Sequence, residues 1–121
     1  MTCCHCQEAG EMFDDDKARD ELHEYRRSGP PETTTQLLID GLQSLDLRDK
    51  TLLDIGGGVG AIPFELFPEG LAEATFVEAS PAYAQIVKNE ARRRGYDDRM
   101  NHRLGDIVDL APELPHVDLV T

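Results

Sequence analysis

The sequence predicts an α/β fold built on a parallel β-sheet, and three observations support this prediction. From residue 51 onward, short apolar runs alternate with segments of helical periodicity, at the spacing expected for right-handed parallel crossovers. The first run, Thr51–Ile55, leads directly into a loop of four glycines over residues 56–60. Three successive runs also carry an acid at or just beyond their carboxyl ends, namely Asp54, Glu78 and Asp106.

Two helices are predicted ahead of the sheet. The first covers residues 13–27, because acidic residues suit its start, Arg26 and Arg27 suit its end, and Ala18, Leu22 and Tyr25 form an apolar stripe. Glycine and prolines at residues 29–31 end this helix. The second covers residues 33–45, with threonines at its start and a predicted apolar stripe of Leu37, Leu38, Leu42 and Leu45.

The sheet and its helices follow in chain order. The predicted strands are residues 51–55, 74–78, 101–104 and 117–121. The predicted helices are residues 59–66 and 81–94, with a weakly helical or irregular stretch over residues 107–114. Pro81 suits the first turn of its helix, and Gly95 ends that helix after Arg94.

These elements divide the chain into three parts. Residues 1–12 are predicted to form a flexible, cysteine-rich leader, residues 13–48 an N-terminal helical cap, and residues 49–121 the core domain. Cys3-x-x-Cys6 in the leader has the spacing of zinc ligands, but no second cysteine pair exists to complete four ligands. We therefore predict reduced thiols and no metal site, and three crowded cysteines do not favour a disulfide framework.

The composition restricts the partners of the chain. It has 121 residues, which suits one domain, and its 24 acids against 12 bases give a net charge of −12. Proteins that bind nucleic acid need a basic patch, and we interpret the single basic run, residues 92–94, as the solvated end of a helix. No apolar run approaches the roughly 20 residues of a membrane span, and the first residues do not form a secretory signal. The sequence predicts a cytoplasmic protein with no nucleic-acid or membrane partner.

The glycine loop and the three acids predict a ligand site at one edge of the sheet. Glycines allow a sharp turn and let a ligand lie against main-chain N–H groups. Open parallel sheets bind ligands at the carboxyl ends of their strands, which is where Asp54, Glu78 and Asp106 would gather. A carboxylate can accept two hydrogen bonds from a ribose diol, accept from an exocyclic amine, or pair with an ammonium group.

Four segments carry a resemblance to a known family. They are Leu53-Asp54-Ile55-Gly56-Gly57-Gly58-Val59-Gly60, Phe76-Val77-Glu78-Ala79-Ser80, Leu104-Gly105-Asp106-Ile107 and Val117-Asp118-Leu119-Val120. Over residues 51–121 the chain resembles the class I S-adenosylmethionine-dependent methyltransferases. The resemblance implies a Rossmann-like parallel sheet of strand order 3-2-1-4 with helices on both faces. It also implies that the chain is the amino-terminal portion of such an enzyme, truncated after strand 4.

The resemblance further implies a role for ten residues in binding S-adenosylmethionine. Asp54 would serve the amino end of the methionine, directly or through water, and Glu78 would hold the ribose hydroxyls. Ala79 would lie near the adenine face, and Asp106 and Ile107 near the adenine amine. The remaining cofactor-binding residues are the loop glycines Gly56, Gly57, Gly58 and Gly60, which would run under the methionine, and Gly105.

A rival interpretation comes from the same loop. Gly56, Gly58 and Ala61 satisfy the G-x-G-x-x-G/A fingerprint of dinucleotide binding, which would indicate an NAD(P)- or FAD-dependent oxidoreductase. Asp54 argues against this alternative, because a carboxylate there would repel a pyrophosphate and attract a methionine ammonium. Glu78 suits either ligand, since both contain a ribose.

The N-terminal helices are a second candidate part of the site, because in related enzymes the front helices cover the active site. Tyr25, Arg26, Arg27 and the threonines at residues 33–35 could line the cofactor mouth. The alternative interpretation, which we favour for each residue singly, is a solvated arginine pair and helix-capping threonines.

The predicted function is methyl transfer from S-adenosylmethionine to a small-molecule acceptor. No catalytic residue can be assigned from the sequence. The bare, apolar edge of strand 4 predicts self-association. Two alternatives stay open at this point: the oxidoreductase, and a non-catalytic truncated fragment that retains the pocket.

Overall fold

A computed structural model of the protein describes residues 15–30 and 33–121. The described residues form a four-stranded sheet of order β3-β2-β1-β4 in which every pairing is parallel. Its strands are β1 (Thr51–Ile55), β2 (Glu73–Glu78), β3 (Met100–Leu104) and β4 (Leu119–Val120). The predicted fold class, the strand order and the parallel direction are therefore confirmed.

Five α-helices accompany the sheet in the described ranges. They are α1 (Asp15–Ser28), α2 (Thr33–Gln43), α3 (Ala61–Leu66), α4 (Pro81–Arg94) and α5 (Ile107–Leu110). Short 3₁₀ turns occupy Phe67–Glu69, Asp97–Arg99 and Ala111–Glu113. The predicted boundaries agree to within two residues at nearly every end, although α3 starts at Ala61 because Gly60 before it is left-handed, with a φ of 81°.

The hydrophobic core lies between the sheet and the helices α3 and α4. Inward side chains of the three long strands, such as Leu52, Phe76 and Met100, form one buried cluster with Phe64 of α3 and Val87 of α4. The connection from β3 to β4 passes across the sheet in the opposite direction to the earlier crossovers. Because parallel crossovers are right-handed, this reversal of direction leads us to expect α5 on the face opposite to α3 and α4.

Helix α1 packs on α4, as its predicted stripe requires. Ala18 and Tyr25 are buried, Leu22 is partly buried, and the Tyr25 hydroxyl donates a 2.7 Å hydrogen bond to Glu65 of α3. Burial and this acidic partner raise the pKa of Tyr25 well above its usual range. The tyrosine consequently stays protonated and fixes the rotational position of α1.

The predicted stripe of α2 is wrong. The buried residue is Ile39, with Leu42 partly buried three residues later, whereas the remaining leucines are exposed. Those exposed side chains are Leu37, Leu38 and Leu45. Consecutive residues of a helix point about 100° apart, so Leu37 and Leu38 turn away once Ile39 faces α3.

The basic run at residues 92–94 is not a simple solvated helix end. Arg93 and Arg94 both donate to the carboxylate of Glu90, which is 0% exposed, and Arg26 of α1 donates to the same group. Arg92 pairs with Asp97. The four residues Glu90, Arg26, Arg93 and Arg94, here called the Glu90 cluster, join α1 to α4.

Several sequence predictions lie partly or wholly outside this description. The predicted leader and its cysteines fall before residue 15, so the zinc question is not addressed by the described residues, among which no candidate metal cluster occurs. None of the described helices is long and apolar enough to cross a bilayer. Strand β4 is an edge of the sheet with Val120 exposed, and self-association through it stays a prediction.

Candidate cofactor site

The three predicted acids lie on neighbouring strands that point the same way. Asp54 is in β1, Glu78 ends β2, and Asp106 follows β3 by two residues. All three side chains are buried. The carboxyl ends of β2 and β3 are also joined by a main-chain hydrogen bond, since the Gly105 N–H donates to the Glu78 carbonyl at 2.9 Å.

The glycine loop lies over the end of β1 in a conformation that other residues rarely adopt. Gly56, Gly58 and Gly60 have φ angles of 65°, 60° and 81°. The Gly56 N–H donates a 2.8 Å hydrogen bond to Val77 of β2, which holds the loop against the sheet. A Cβ atom on Gly60 would lie 2.9 Å from the Phe64 ring, so a glycine is needed at this position for close packing of the loop against α3.

Asp54 is the most unusual group of the site. It is only 2% exposed, and its Oδ1 accepts a 2.9 Å hydrogen bond from the Thr121 hydroxyl. Its Oδ2 is buried without a hydrogen-bond partner and lies directly beneath Gly57, where a Cβ atom would overlap with it. Burial raises the pKa of Asp54 to about 6, the Thr121 hydroxyl opposes that shift, and the nearby charge of Glu78 adds to it.

Glu78 is held in place by main-chain donors. Its Oε1 accepts from the Ser80 N–H at 3.0 Å, and the N–H groups of Gly58 and Ala79 also bond its carboxylate. Burial nevertheless raises the pKa of Glu78, and these three donors counteract the rise. The side chain therefore joins the end of β2 to the glycine loop and is oriented before any ligand arrives.

The residues predicted for the adenine side lie at the β3 end of the same edge. Asp106 caps α5, since its Oδ1 accepts a 2.8 Å hydrogen bond from the Val108 N–H. Ala79 directly follows β2, Ile107 is the first residue of α5, and both are half-buried. This N-capping hydrogen bond is a sufficient structural reason for the position of Asp106, so its role at an adenine amine stays a prediction.

A cavity of about 250 Å³ opens at the end of β1. Its floor is Asp54 and the glycine loop, and Thr121 lines it beside β4. Glu21 of α1 and Thr35 of α2 also line it. A larger and more open cavity of about 600 Å³ lies along β3 and contains none of the predicted site residues.

Known proteins share this architecture. No family model matches the sequence. Ribosomal protein L11 methyltransferase of Escherichia coli O8 (strain IAI1) is 37% identical over 67 residues, which are 55% of this chain and 23% of that relative. The cyclase SpnF superposes with a TM-score of 0.67 at 23% identity, over 95% of this chain and 48% of SpnF. The C-terminal domain of precorrin-6Y C5,15-methyltransferase from Rhodobacter capsulatus gives a TM-score of 0.57 at 24% identity, over 66% and 46%.

These likenesses, together with the sheet order, decide the family of the fold. The chain has the fold of the class I S-adenosylmethionine-dependent methyltransferases. The predicted resemblance is thus confirmed. The chain spans less than a quarter of the curated relative, and the methyltransferase fold is also the fold of a cyclase, so its chemistry has to be argued from its own residues.

Within this methyltransferase fold, the N-terminal helices line the cavity with one residue that was predicted, Thr35, and one that was not, Glu21. Thr35 lines the cavity, whereas Tyr25 bonds Glu65 and Arg26 bonds Glu90. Arg27 pairs with Glu24 on the surface of α1. Glu21 was not predicted from the sequence, although its position four residues before Tyr25 puts both on one face of the helix.

Proposed function

We propose that this chain binds S-adenosylmethionine at the carboxyl ends of β1, β2 and β3 and is the cofactor-binding part of a methyltransferase. The observation that carries the proposal is the buried, unpartnered Oδ2 of Asp54 beneath the glycine loop. A ligand with a positive amine would satisfy this oxygen. A pyrophosphate would instead bring negative charge next to a buried carboxylate, at a high cost in free energy.

The other residues of the edge suit the rest of the cofactor. Glu78 is already oriented by three main-chain donors, and its carboxylate, with about four lone-pair sites, keeps acceptor capacity for a ribose hydroxyl. Asp106 and Ile107 would meet the adenine amine, and Ala79 the adenine face. Gly105 permits the turn between β3 and α5 with a φ of 150°, a value that favours glycine.

The chemistry follows from this placement. When bound, the cofactor supplies a methyl group that its sulfonium already activates. The protein's contribution is then to hold the donor in line with an acceptor, which can lower the barrier by several kcal/mol. No side chain is assigned as a general base.

We propose a small molecule as the methyl acceptor. A net charge of −12 opposes the approach of a nucleic acid. The second candidate is a protein acceptor, because the curated relative is named for ribosomal protein L11.

The cofactor assignment can be tested by calorimetric titration with S-adenosylhomocysteine and with NADH. We expect S-adenosylhomocysteine to bind and NADH not to bind. Asp54→Ala and Glu78→Ala should each weaken S-adenosylhomocysteine binding by about 1–3 kcal/mol, since each removes an acceptor for a charged or hydroxyl donor. Glu69→Ala, which removes an exposed acid far from the edge, is the matched control. Binding of NADH alone, or full affinity in both site variants, would contradict the assignment.

The acceptor class needs a separate measurement. Radiolabelled S-adenosylmethionine is incubated with the protein and with either a small-metabolite extract or purified ribosomal protein L11. Label in the small-molecule fraction supports the proposed acceptor, and label in L11 supports the second candidate. Intact S-adenosylhomocysteine binding with no transfer to either would favour a non-catalytic chain that keeps the pocket.

A further inference from the structure

The cavity at the end of β1 has a one-sided chemistry. Its charged lining residues among the described part of the chain are two carboxylates, Asp54 and Glu21. Its other polar side chains are the hydroxyls of Thr35 and Thr121, and the rest is glycine loop and apolar surface. A cavity with this lining suits a ligand group of positive charge.

Glu21 reaches the cavity because α1 is anchored one turn further along. Tyr25 lies four residues after Glu21, on the same face of the helix, and is buried with its hydroxyl 2.7 Å from Glu65. Arg26 adds a 2.6 Å ion pair to the buried Glu90 of α4. These two contacts fix both the rotation and the height of α1 over the core, which directs Glu21 to the loop.

Helix α2 is arranged in the same way. Ile39 is its buried anchor, and Thr35, four residues earlier, lines the cavity. Two independent helices therefore present a polar residue one turn before a buried anchor. Glu21 and Thr35 are thus the two residues that α1 and α2 contribute to the lining of the cavity.

The Asp54 Oδ2 at the floor of this cavity is buried without a hydrogen-bond partner, so it is free to accept from a donor on a ligand. Glu21 differs from Asp54 in being exposed, so its carboxylate is solvated by water until a ligand arrives. We propose that Glu21 is a specificity-determining residue that faces Asp54 across the cavity and selects ligands whose methionine end carries a free ammonium group. This inference rests on the proposed function and assigns the N-terminal cap a direct part in it.

The experiment compares two ligands that differ only at that end. S-adenosylhomocysteine carries the amino-acid tail, whereas 5′-methylthioadenosine has the same adenosine without it. Glu21→Gln should weaken S-adenosylhomocysteine binding about three- to fivefold, the scale of an exposed ion pair, and leave 5′-methylthioadenosine binding unchanged. Asp20→Asn, which removes the neighbouring exposed acid outside the cavity, should change neither affinity.

Each other outcome has a definite meaning. Equal loss of both ligands in Glu21→Gln would show that Glu21 merely positions α1, and unchanged binding of both would show that it does not meet the ligand; either result overturns the inference alone. If the unaltered protein binds neither ligand, the proposed function itself is contradicted. Circular dichroism of both variants verifies that α1 remains folded.

Discussion

Two of the buried acids, Glu90 and Asp54, differ in the hydrogen-bond partners that surround them. Glu90 is 0% exposed, and its carboxylate receives hydrogen bonds from Arg26, Arg93 and Arg94 at 2.6–3.3 Å. Asp54 is 2% exposed, and one of its two oxygens has no partner. The two carboxylates are therefore similarly buried, but every oxygen of Glu90 accepts hydrogen bonds whereas one oxygen of Asp54 accepts none.

The pKa values move in opposite directions for this reason. Burial alone would raise the pKa of Glu90, but the hydrogen bonds from the three arginines outweigh it and hold the pKa well below its usual range. No cation faces Asp54 among the described residues that line its cavity, so burial dominates and raises its pKa to about 6. A saturated buried acid stabilises the fold, whereas an unsaturated one indicates where a ligand supplies the missing charge.

The largest expected effect is on the saturated acid. Glu90→Gln should lower the free energy of unfolding by about 2–4 kcal/mol at pH 7, because three arginines lose a charged acceptor at the contact of α1 with α4. Urea denaturation measures this loss, and Glu69→Gln on the exposed surface is the control.

The sign of the pH dependence is a second check on Glu90. A depressed pKa means that its contribution is complete above the ordinary value of 4.5 and declines as the pH falls below it. The difference between Glu90→Gln and the unaltered protein should shrink accordingly in acid. A loss below about 0.5 kcal/mol at pH 7 would place Glu90 among ordinary surface acids.

The space around the unsaturated acid gives the next prediction. In Gly57→Ala the new methyl group would overlap with Asp54 Oδ2 and lie 2.7 Å from the Phe76 ring. We expect a loss of about 1–3 kcal/mol in unfolding free energy from this overpacking, together with loss of S-adenosylhomocysteine binding.

A matched control exists one residue further along the same loop. Gly58→Ala meets no atom within 4 Å but must adopt a φ of 60°, so it should cost only about 1 kcal/mol. Thermal or urea unfolding of both variants measures the difference. If the Gly58 variant were the less stable of the two, backbone strain rather than contact with Asp54 would govern the loop.

The sequence was sufficient to predict the parallel sheet and to predict that the glycine loop and the three acids lie at the carboxyl ends of its strands. Alternating runs, the glycine loop and acids at strand ends are local patterns, and parallel strands bring local patterns to one edge. The position of Asp54 and Glu78 at the carboxyl ends of neighbouring strands was predicted from these patterns, and the structure adds that both side chains are buried.

Contacts between segments distant in the sequence could not be predicted from these local patterns. Glu90 with arginines three and four residues later is typical of an exposed helix pair, and its burial depends on Arg26, 64 residues away. In α2, the leucines at 37 and 38 are as apolar as Ile39, and the packing against α3 decides which side is buried. Glu21 was not predicted for the same reason, because it lines the cavity only when α1 is packed on α4.

The smallest expected effect is on Asp54. Its substitution separates what the buried carboxylate costs in folding free energy from what it contributes to ligand binding. A pKa raised from 3.8 to about 6 means that the folded protein holds a proton more tightly than the unfolded chain, so stability is lost as the pH rises through that window. At pH 7.5 the shift corresponds to at most about 3 kcal/mol. Asp54→Asn removes the charge but leaves an unpartnered amide, so we expect a gain of about 1 kcal/mol in unfolding free energy without ligand.

The stability of Asp54→Asn and its ligand affinity should both depend on pH differently from those of the unaltered protein. Near pH 4 Asp54 is protonated in the folded protein, so the stability advantage of Asp54→Asn should vanish there. S-adenosylhomocysteine affinity of the unaltered protein should fall below pH 6, by up to about tenfold per pH unit, because an ammonium needs the ionised acid. In Asp54→Asn this dependence should be absent. A variant that is less stable at pH 7.5 yet keeps full affinity would make Asp54 a structural acid like Glu90, and would remove the distinction on which the site assignment depends.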